Sequence, residues 1–336
     1  MTEDIELTQI MLTSVENYMQ RVVQKLENPD YAGLYQMLAY HMGWQNEGGT
    51  DTRGKRIRPL VVLLVCAACG SNWEKALPAA AAVELLHNFS LIHDDIEDNS
   101  STRRGRPTVW VRWGIPQALN AGDTQFTLAH LSLLEMQGVS PAALVQSARL
   151  LQETCLALTQ GQYLDISFET RDDVSIAEYW SMIKGKTASL LAGCCGLGAI
   201  AGGATPNQYE AYVQFGEKVG LAFQALDDIL GIWGDAALIG KSNESDLISG
   251  KKSLPILYGL SQNKEFAYRW RQGPIQPQQL SEVIKMLEKT GAREYTKDAA
   301  DRLTQEAMQA LKLAGPSGKA GVALRNLAGN LLNRTF

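Results

Sequence analysis

Apolar side chains recur along most of this chain at intervals of three and four residues, and no stretch shows sustained alternation of apolar and polar positions. The first pattern is typical of amphipathic helices, whereas the second would indicate strands. Hydroxyl residues stand directly before a proline at Ser140-Pro141 and Thr205-Pro206, as at helix starts. We therefore expect helices near residues 5–26, 56–70, 74–98, 117–137, 141–168, 176–204, 207–234, 253–262, 277–290, 293–313 and 319–333.

The remaining composition indicates one large helical domain. The chain has 336 residues, of which 45% are hydrophobic, and no linker, repeat or charge shift divides it. Residues 48–54 and 235–250 are expected to be loops. The fold class is therefore predicted as all-α, a single domain over residues 1–336 that forms one large helical bundle around a central cavity.

Neither a membrane span nor an export signal is expected. The apolar run from Thr187 to Ala204 is interrupted by glycines, which favours a close-packed interior helix. The N-terminus is acidic where a signal peptide would be basic, so we expect a cytoplasmic protein. Five cysteines are an odd number, and Cys66 and Cys69 lie in or beside an apolar run, so they are expected to be buried structural residues.

A dense acidic segment, Asp94-Asp95-Ile96-Glu97-Asp98, ends one of the apolar helices. Carboxylates four residues apart on a helix, such as Asp94 and Asp98, repel each other by about 0.2–0.5 kcal/mol. Mg²⁺ would relieve this repulsion, because it prefers oxygen ligands and is usually held by one or two carboxylates together with phosphates. A solvated acidic helix end explains this segment equally well when it is taken alone.

A second aspartate pair, Asp227-Asp228, also follows a long apolar run. Two such pairs at helix ends could face each other across one cavity, which favours a metal site. His87 precedes Asp94 by seven residues and shares its helical face, so we place it in the same site. His93 lies off that face and is interpreted as structural.

Basic segments alternate with the acidic ones and suggest a bound anion. They contain Lys55, Arg56, Arg58, Arg103, Arg104, Arg106, Lys241, Lys251 and Lys252. A net charge of -5 and this close alternation argue against nucleic acid, which needs a broad positive face. No GxxxxGK[ST] phosphate loop is present. A diphosphate bridged by Mg²⁺ would satisfy both signs of charge.

In their order and approximate spacing, these segments resemble the trans-isoprenyl diphosphate synthases. The resemblance covers about residues 50–260 and rests on GKRIRP at 54–59, LIHDDIED at 91–98, Arg103-Arg104-Gly105, Gly161-Gln162, Lys186-Thr187, FQALDD at 223–228, Gly240-Lys241 and Lys251-Lys252. One position departs from the family, whose second aspartate motif usually reads DDxxD, because the fifth position here is Gly231. If the missing aspartate matters, Gly231→Asp should tighten the dependence on Mg²⁺.

The resemblance implies a Mg²⁺-dependent prenyltransferase that joins isopentenyl diphosphate to dimethylallyl, geranyl or farnesyl diphosphate, and it suggests a homodimer. By the same resemblance, Asp94, Asp98 and Asp227 would hold three Mg²⁺ ions with the allylic diphosphate. Arg103, Lys186, Lys241 and Lys251 would neutralise that diphosphate, and Lys55, Arg58, His87 and Arg104 would bind isopentenyl diphosphate. Thr187 and Gln224 would stabilise the allylic cation through their oxygen dipoles.

Product length is expected to depend on side chains that precede the first acidic segment. Ser90 and Leu86 lie one and two turns before Asp94, and Phe89 lies beside them at an angle. The pairing of a large Phe89 with a small Ser90 resembles the geranylgeranyl diphosphate synthases, which implies a C20 product, with a C15 or longer product as the alternative. Phe89 packing merely between helices is the other reading.

Two rival functions remain at this point. A class I terpene cyclase also ionises a diphosphate, but it has no use for an isopentenyl site such as residues 54–59, His87 and Arg104. A non-catalytic synthase subunit is disfavoured because both aspartate segments are substantially intact.

Overall fold

The computed structural model describes residues 3–45, 52–234 and 246–332, and its regular structure is almost entirely helical. The all-α prediction is therefore confirmed. The helices are α1 Glu3–Gln24, α2 Ala32–His41, α3 Ile57–Ala68, α4 Leu77–Glu97, α5 Val109–Trp113, α6 Ile115–Leu134, α7 Pro141–Glu169, α8 Ile176–Ile183, α9 Ser189–Gly202, α10 Pro206–Trp233, α11 Asp246–Ser249, α12 Leu254–Gln262, α13 Lys264–Arg271, α14 Leu280–Glu288, α15 Ala292–Ala314 and α16 Gly318–Leu332. A two-residue hairpin, β1 Thr102–Arg103 and β2 Arg106–Pro107, is antiparallel.

The chain groups into two compact units. The first contains Met1–Glu153, Gly193–Tyr209 and Gly315–Leu324, and the second contains Thr154–Ala192, Glu210–Ala314 and Arg325–Phe336. Each has its own buried apolar side chains, and the expectation of a single domain stays a prediction. None of the described helices is both long and apolar enough to cross a membrane.

In the first unit, α4 is the central helix. Every residue from Pro78 to Leu86 is buried, which explains why its sequence reads as a nearly continuous apolar run. Its neighbour α3 is similarly buried and meets α9 at close range, because a Cβ at Gly198 would lie 2.5 Å from the Val62 carbonyl oxygen. Cys66 is buried there, and burial raises the pKa of its thiol to about 12, in agreement with a structural role.

The helix predicted at 176–204 is helical from Ile176 to Gly202, but it contains a π-helical turn that the sequence pattern does not predict. A π-helical turn, Lys184–Ala188, separates α8 from α9. This turn packs backbone to backbone against α7, since a Cβ at Gly161 would lie 2.1 Å from the Lys186 nitrogen. The helix is locally wider at this turn, and π-turns of this kind are frequent at functional sites.

Candidate active site

The first acidic segment lies at the C-terminal end of α4. The Asp98 amide donates to the Asp94 carbonyl oxygen at 2.8 Å, so the two aspartates stand one turn apart where the helix ends. The Asp94 residue is half-buried and Asp98 is exposed. The helix dipole is negative at this end and disfavours carboxylates by about 0.3–1 kcal/mol each. A cation that binds both side chains would remove that cost.

Asp95, between them, points into the protein instead. Its Oδ1 accepts from Arg103 Nε at 2.8 Å, and its buried Oδ2 has no hydrogen-bond partner. Burial raises the pKa of Asp95 to about 6 even though Arg103 opposes the shift. Asp95 therefore fixes Arg103, one of the predicted diphosphate ligands, beside the acidic segment.

Two of the predicted isopentenyl diphosphate ligands are in direct contact. Arg58 Nη1 lies 3.2 Å from His87 Nε2. Burial and the charges of Arg58 and Arg104 lower the pKa of His87 well below its usual range, so the ring is neutral and Nε2 accepts the bond. Lys55, three residues before Arg58, is exposed. The neutral histidine thus orients Arg58 without competing for an anion.

Arg56 has a different role from its basic neighbours. Its buried guanidinium donates to Glu16, to Glu84 at 2.8 Å and to the Met42 carbonyl oxygen at 2.8 Å. These carboxylates raise the pKa of Arg56, although burial alone would lower it. The residue is also left-handed, with φ of 47°. Arg56 therefore anchors the turn into α3 and leaves anion binding to the residues on either side.

Arg104 connects the hairpin to the loop that precedes α3. Its Nη1 donates to the carbonyl oxygens of Thr52 at 2.9 Å and Arg53 at 3.2 Å. A side chain at Gly54 would meet this guanidinium at 3.0 Å, and Gly54 has a positive φ of 80°. Arg104 is thereby held beside residues 54–59. This position agrees with its predicted role in binding isopentenyl diphosphate together with Lys55 and Arg58.

In the second unit, Asp228 is the centre of a hydrogen-bond network. The buried carboxylate accepts from Tyr179 OH at 2.6 Å, Gln224 Nε2 at 2.9 Å and the Leu254 amide at 2.9 Å. Burial raises the pKa of Asp228, while Lys251 and the three donors oppose that shift. Asp228 is thus committed to structure, and Asp227, half-buried beside it, is the carboxylate of the pair that suits a metal.

Thr187 and Gln224, the predicted cation-stabilising pair, are connected through this network. Thr187 Oγ1 donates to Gln224 Oε1 at 3.1 Å, and Asp228 holds the other end of the Gln224 amide. Because the threonine hydrogen is used in this bond, the lone pairs of its oxygen point elsewhere. The π-turn positions the Thr187 hydroxyl, and Asp228 fixes the Gln224 amide that accepts its hydrogen bond.

The predicted lysines of the second unit differ in their partners: Lys186 and Lys251 face carboxylates, whereas Lys252 binds backbone carbonyl oxygens. Lys186 pairs with Asp165 of α7. Burial would lower the pKa of Lys251, but the carboxylates of Asp228, Asp246 and other nearby aspartates raise it. Lys252 instead donates to the Phe168 carbonyl oxygen at 2.5 Å and caps the end of α7. Lys241 lies outside the described residues.

The described residues contain no cluster of three His, Cys, Asp or Glu side chains suited to hold a metal alone. Within each unit, the residues of the acidic segment nevertheless fit Mg²⁺ bound together with a diphosphate. Asp94, Asp98 and Asp227 offer hard oxygen donors, and Mg²⁺ bound with phosphates needs only one or two carboxylates. Lysine and arginine side chains lie beside each acidic segment to bind the anion.

The predicted chain-length residues lie where α4 meets α6. Leu86 is fully buried, and Ser90 Oγ donates to the His87 carbonyl oxygen at 2.8 Å. The half-buried ring of Phe89 packs edge-on against Phe126 of α6, with centroids 5.1 Å apart. His93 also packs on α6, where a Cβ at Gly122 would lie 2.3 Å from its Nε2, in agreement with its structural interpretation. Phe89 and Phe126 form one aromatic group between the helices.

Sequence reasoning missed three polar residues of this region. Asp165 follows Gly161 by one turn but belongs to no recognised motif. Tyr179, which fixes Asp228, reads as an ordinary core aromatic residue. Asp246 lies in a segment predicted as loop, and the only signal for it was Gly231, since a glycine inside a helix suggests a close approach.

Comparison with known proteins identifies the family. The model of the family described as polyprenyl synthetase matches residues 46–290. A (2E,6E)-farnesyl diphosphate synthase of Mycobacterium tuberculosis is 37% identical over 309 residues, covering 89% of this chain and 85% of that protein. A geranylgeranyl diphosphate synthase of the same organism is 40% identical over 250 residues, covering 74% and 70%. The crystal structure of geranylgeranyl pyrophosphate synthetase from Pyrococcus horikoshii superposes with a TM-score of 0.90 at 30% identity and covers 99% of both chains.

Proposed function

Because the chain belongs to the polyprenyl synthetase family and is a trans-prenyltransferase, we propose that it makes geranylgeranyl diphosphate from isopentenyl diphosphate and allylic diphosphates in the presence of Mg²⁺. The observation that carries this proposal is the pairing of Arg58 with a neutral His87 in the isopentenyl region. A cyclase, which uses a single diphosphate, has no need for that pair.

The reaction begins when the C1–O bond of the allylic diphosphate breaks and its electron pair leaves with the pyrophosphate. We assign Asp94, Asp98 and Asp227 to three Mg²⁺ ions, which when bound would stabilise the charge on the departing pyrophosphate. Arg103, Lys186 and Lys251 add fixed positive charge to the same group. Such preplaced positive charge lowers the barrier, because it interacts more strongly with the departing pyrophosphate in the transition state than with the intact substrate.

The chain's other polar residues orient the second substrate and protect the cation. Lys55, Arg58 and Arg104, with His87 beside Arg58, bind isopentenyl diphosphate, so that its double bond attacks C1 and forms the new C–C bond. A proton then leaves to the released pyrophosphate. The oxygens of Thr187 and Gln224 direct negative dipole ends at the cation, and the surrounding apolar side chains exclude water that would quench it.

The C20 product length rests on the aromatic group of Phe89 and Phe126. Phe89 blocks part of the space between α4 and α6, while Ser90 beside it leaves room, which corresponds to a chain of intermediate length. The C15 product of the farnesyl diphosphate synthases among the relatives is the alternative.

We further propose a cytoplasmic homodimer. Outward-facing apolar side chains on α7 support this assembly, since Val145, Leu156 and Tyr163 are 68%, 60% and 71% exposed in the single chain. Light scattering after gel filtration should give twice the mass of the 336-residue chain, and a monomeric mass would contradict the proposal.

One assay separates the proposed function from its rivals. Purified protein is incubated with Mg²⁺ and a labelled allylic primer, with and without isopentenyl diphosphate. A synthase elongates the primer only when isopentenyl diphosphate is present. A cyclase would release a hydrocarbon from the primer alone, and a non-catalytic subunit would change neither substrate.

A further inference from the structure

Gly231 lies on α10 one turn after Asp227, in a position with no conformational need for glycine. Its backbone does not have the positive φ of the turn glycines. In a helix interior, glycine is less stable than alanine by about 0.5–1 kcal/mol. What Gly231 provides is space, because its missing side chain leaves room for a carboxylate that comes from elsewhere in the chain.

That carboxylate belongs to Asp246, at the start of α11. A Cβ built on Gly231 would lie 2.6 Å from Asp246 Oδ2, 2.8 Å from its Cγ and 3.0 Å from Oδ1. The two shorter distances are below any that a real Cβ shows to a non-bonded atom, so a side chain at position 231 and the Asp246 carboxylate cannot both fit there. The Asp246 carboxylate therefore occupies the space that the side chain of an aspartate at position 231 would take.

The surroundings of Asp246 are those of the second aspartate pair. Its carboxylate acts electrostatically on Lys251 together with Asp227 and Asp228. It also acts on Tyr179, the residue that fixes Asp228. Bringing another carboxylate beside two aspartates costs free energy through repulsion; Lys251 offsets part of that cost, and a divalent cation would offset more.

We propose that Asp246 supplies to the metal–diphosphate group the carboxylate that the chain lacks at position 231, so that Asp227 and Asp246 act together as metal-binding residues of the second unit. This inference rests on the proposed function, because it assumes that Asp227 binds Mg²⁺ with a diphosphate. It also changes the expectation for Gly231→Asp. That substitution forces two carboxylates into one space and should lower the melting temperature without tightening Mg²⁺ binding.

The proposal is tested by calorimetry with inorganic pyrophosphate, titrated into the full-length protein over a range of Mg²⁺ concentrations. Asp246→Asn keeps the shape of the side chain and removes its charge. We expect the Mg²⁺ concentration needed for half-maximal pyrophosphate binding to rise by about 10-fold or more. Asp301→Asn, at an exposed aspartate of α15, is the control and should leave it unchanged.

Moving the carboxylate provides the decisive comparison. The double variant Gly231→Asp/Asp246→Ala returns a charge to the space that the truncated side chain vacates, and it should recover most of the Mg²⁺ affinity that Asp246→Ala alone loses. The matched variant Gly231→Asn/Asp246→Ala has the same shape without the charge and should not recover it. Circular dichroism checks that each variant is folded; if a double variant is not, the result for Asp246→Asn decides.

The outcomes distinguish this inference from the function it rests on. If the unmodified protein does not bind pyrophosphate in a Mg²⁺-dependent way, the metal assignment itself fails. If it does, but Asp246→Asn has the same Mg²⁺ dependence, only the role of Asp246 is refuted. A uniform loss of pyrophosphate affinity at every Mg²⁺ concentration would also refute it and would assign Asp246 to orienting Lys251.

Discussion

At the scale of single residues, the acidic segments contain aspartates with opposite tasks. Asp95 and Asp228 are buried and receive hydrogen bonds from the protein, so they hold Arg103 and Gln224 in place. Asp94 and Asp227 are half-buried at the ends of their helices. The sequence shows only two DD pairs, and burial decides which member of each pair is structural.

This division predicts different effects for neighbouring aspartates. Asp94→Ala and Asp227→Ala should each reduce turnover by at least about 100-fold, because each removes a ligand that stabilises transition-state charge, and neither should change the melting temperature much. Asp228→Ala should instead destabilise the fold, since it leaves the buried partners Tyr179 and Leu254 N–H unpaired. Turnover and thermal melts check both statements, with Asp301→Ala as an exposed control. Near-normal turnover of Asp94→Ala at saturating Mg²⁺ would refute the metal assignment.

The contact between Arg58 and His87 predicts which substrate will have a higher KM when Arg58 is removed. Arg58→Ala should raise the KM for isopentenyl diphosphate by about 10-fold or more and change the KM for the allylic diphosphate far less, because a charge-assisted contact to an anion contributes about 1.5–3 kcal/mol. Steady-state kinetics with each substrate varied in turn measure the two constants. An equal rise in both would mean that Arg58 does not distinguish the substrates and would favour the cyclase reading.

At the scale of elements, the long helices were predictable and the exceptions have physical causes. Helix α4 was expected at 74–98 and runs from Leu77 to Glu97, since its apolar face and acidic end are both marked in the sequence. Helix α2 was missed because its last five residues, Met37 to His41, are all buried, so no polar face sets a period. The π-turn at Lys184–Ala188 was missed because the close contact that distinguishes it, with Gly161, comes from another helix.

The close approach of α7 to the π-turn can be tested through its glycine. Gly161→Ala places a Cβ 2.1 Å from the Lys186 nitrogen, so the backbone must shift at a cost of about 1–3 kcal/mol or more. We expect a lower melting temperature and a large loss of turnover, because Lys186 and Thr187 move with the turn.

Gly33→Ala is the matched control. It also lies in a helix, but no atom lies within 4 Å of its Cβ position, so this change should stabilise the protein by up to about 1 kcal/mol. Thermal melts and turnover of the two variants give the comparison. A Gly161→Ala protein with normal turnover would show that the π-turn does not need this contact.

Because Phe89 of α4 packs on Phe126 of α6, we expect side chains of both helices to limit the product length. Phe89→Ala opens space beside Phe126 and should lengthen the product beyond C20, whereas Ser90→Phe fills space and should shorten it to C15. Chromatography of the dephosphorylated products from labelled isopentenyl diphosphate measures the chain length. If both variants give the same products as the parent, Phe89 only packs between the helices and the length is limited elsewhere on α6.

At the scale of the whole molecule, each compact unit carries one acidic segment and its own cations. The first unit contains Asp94, Asp98, Arg58, Arg103 and Arg104, and the second contains Asp227, Lys186 and Lys251. The motif order along the chain identified these residues, because each family motif is short but the ordered set is specific. Asp165, Tyr179 and Asp246 needed the structure, since long-range contacts define their roles.

We propose that these residues perform Mg²⁺-dependent prenyl transfer, and analysis of the reaction products is the direct test. The protein is stripped with a chelator and incubated with dimethylallyl diphosphate and labelled isopentenyl diphosphate, before and after Mg²⁺ is restored. We expect no product without Mg²⁺ and a labelled C20 diphosphate once Mg²⁺ is present. The absence of any elongated product with both substrates and Mg²⁺ present, in protein that is folded, would contradict it.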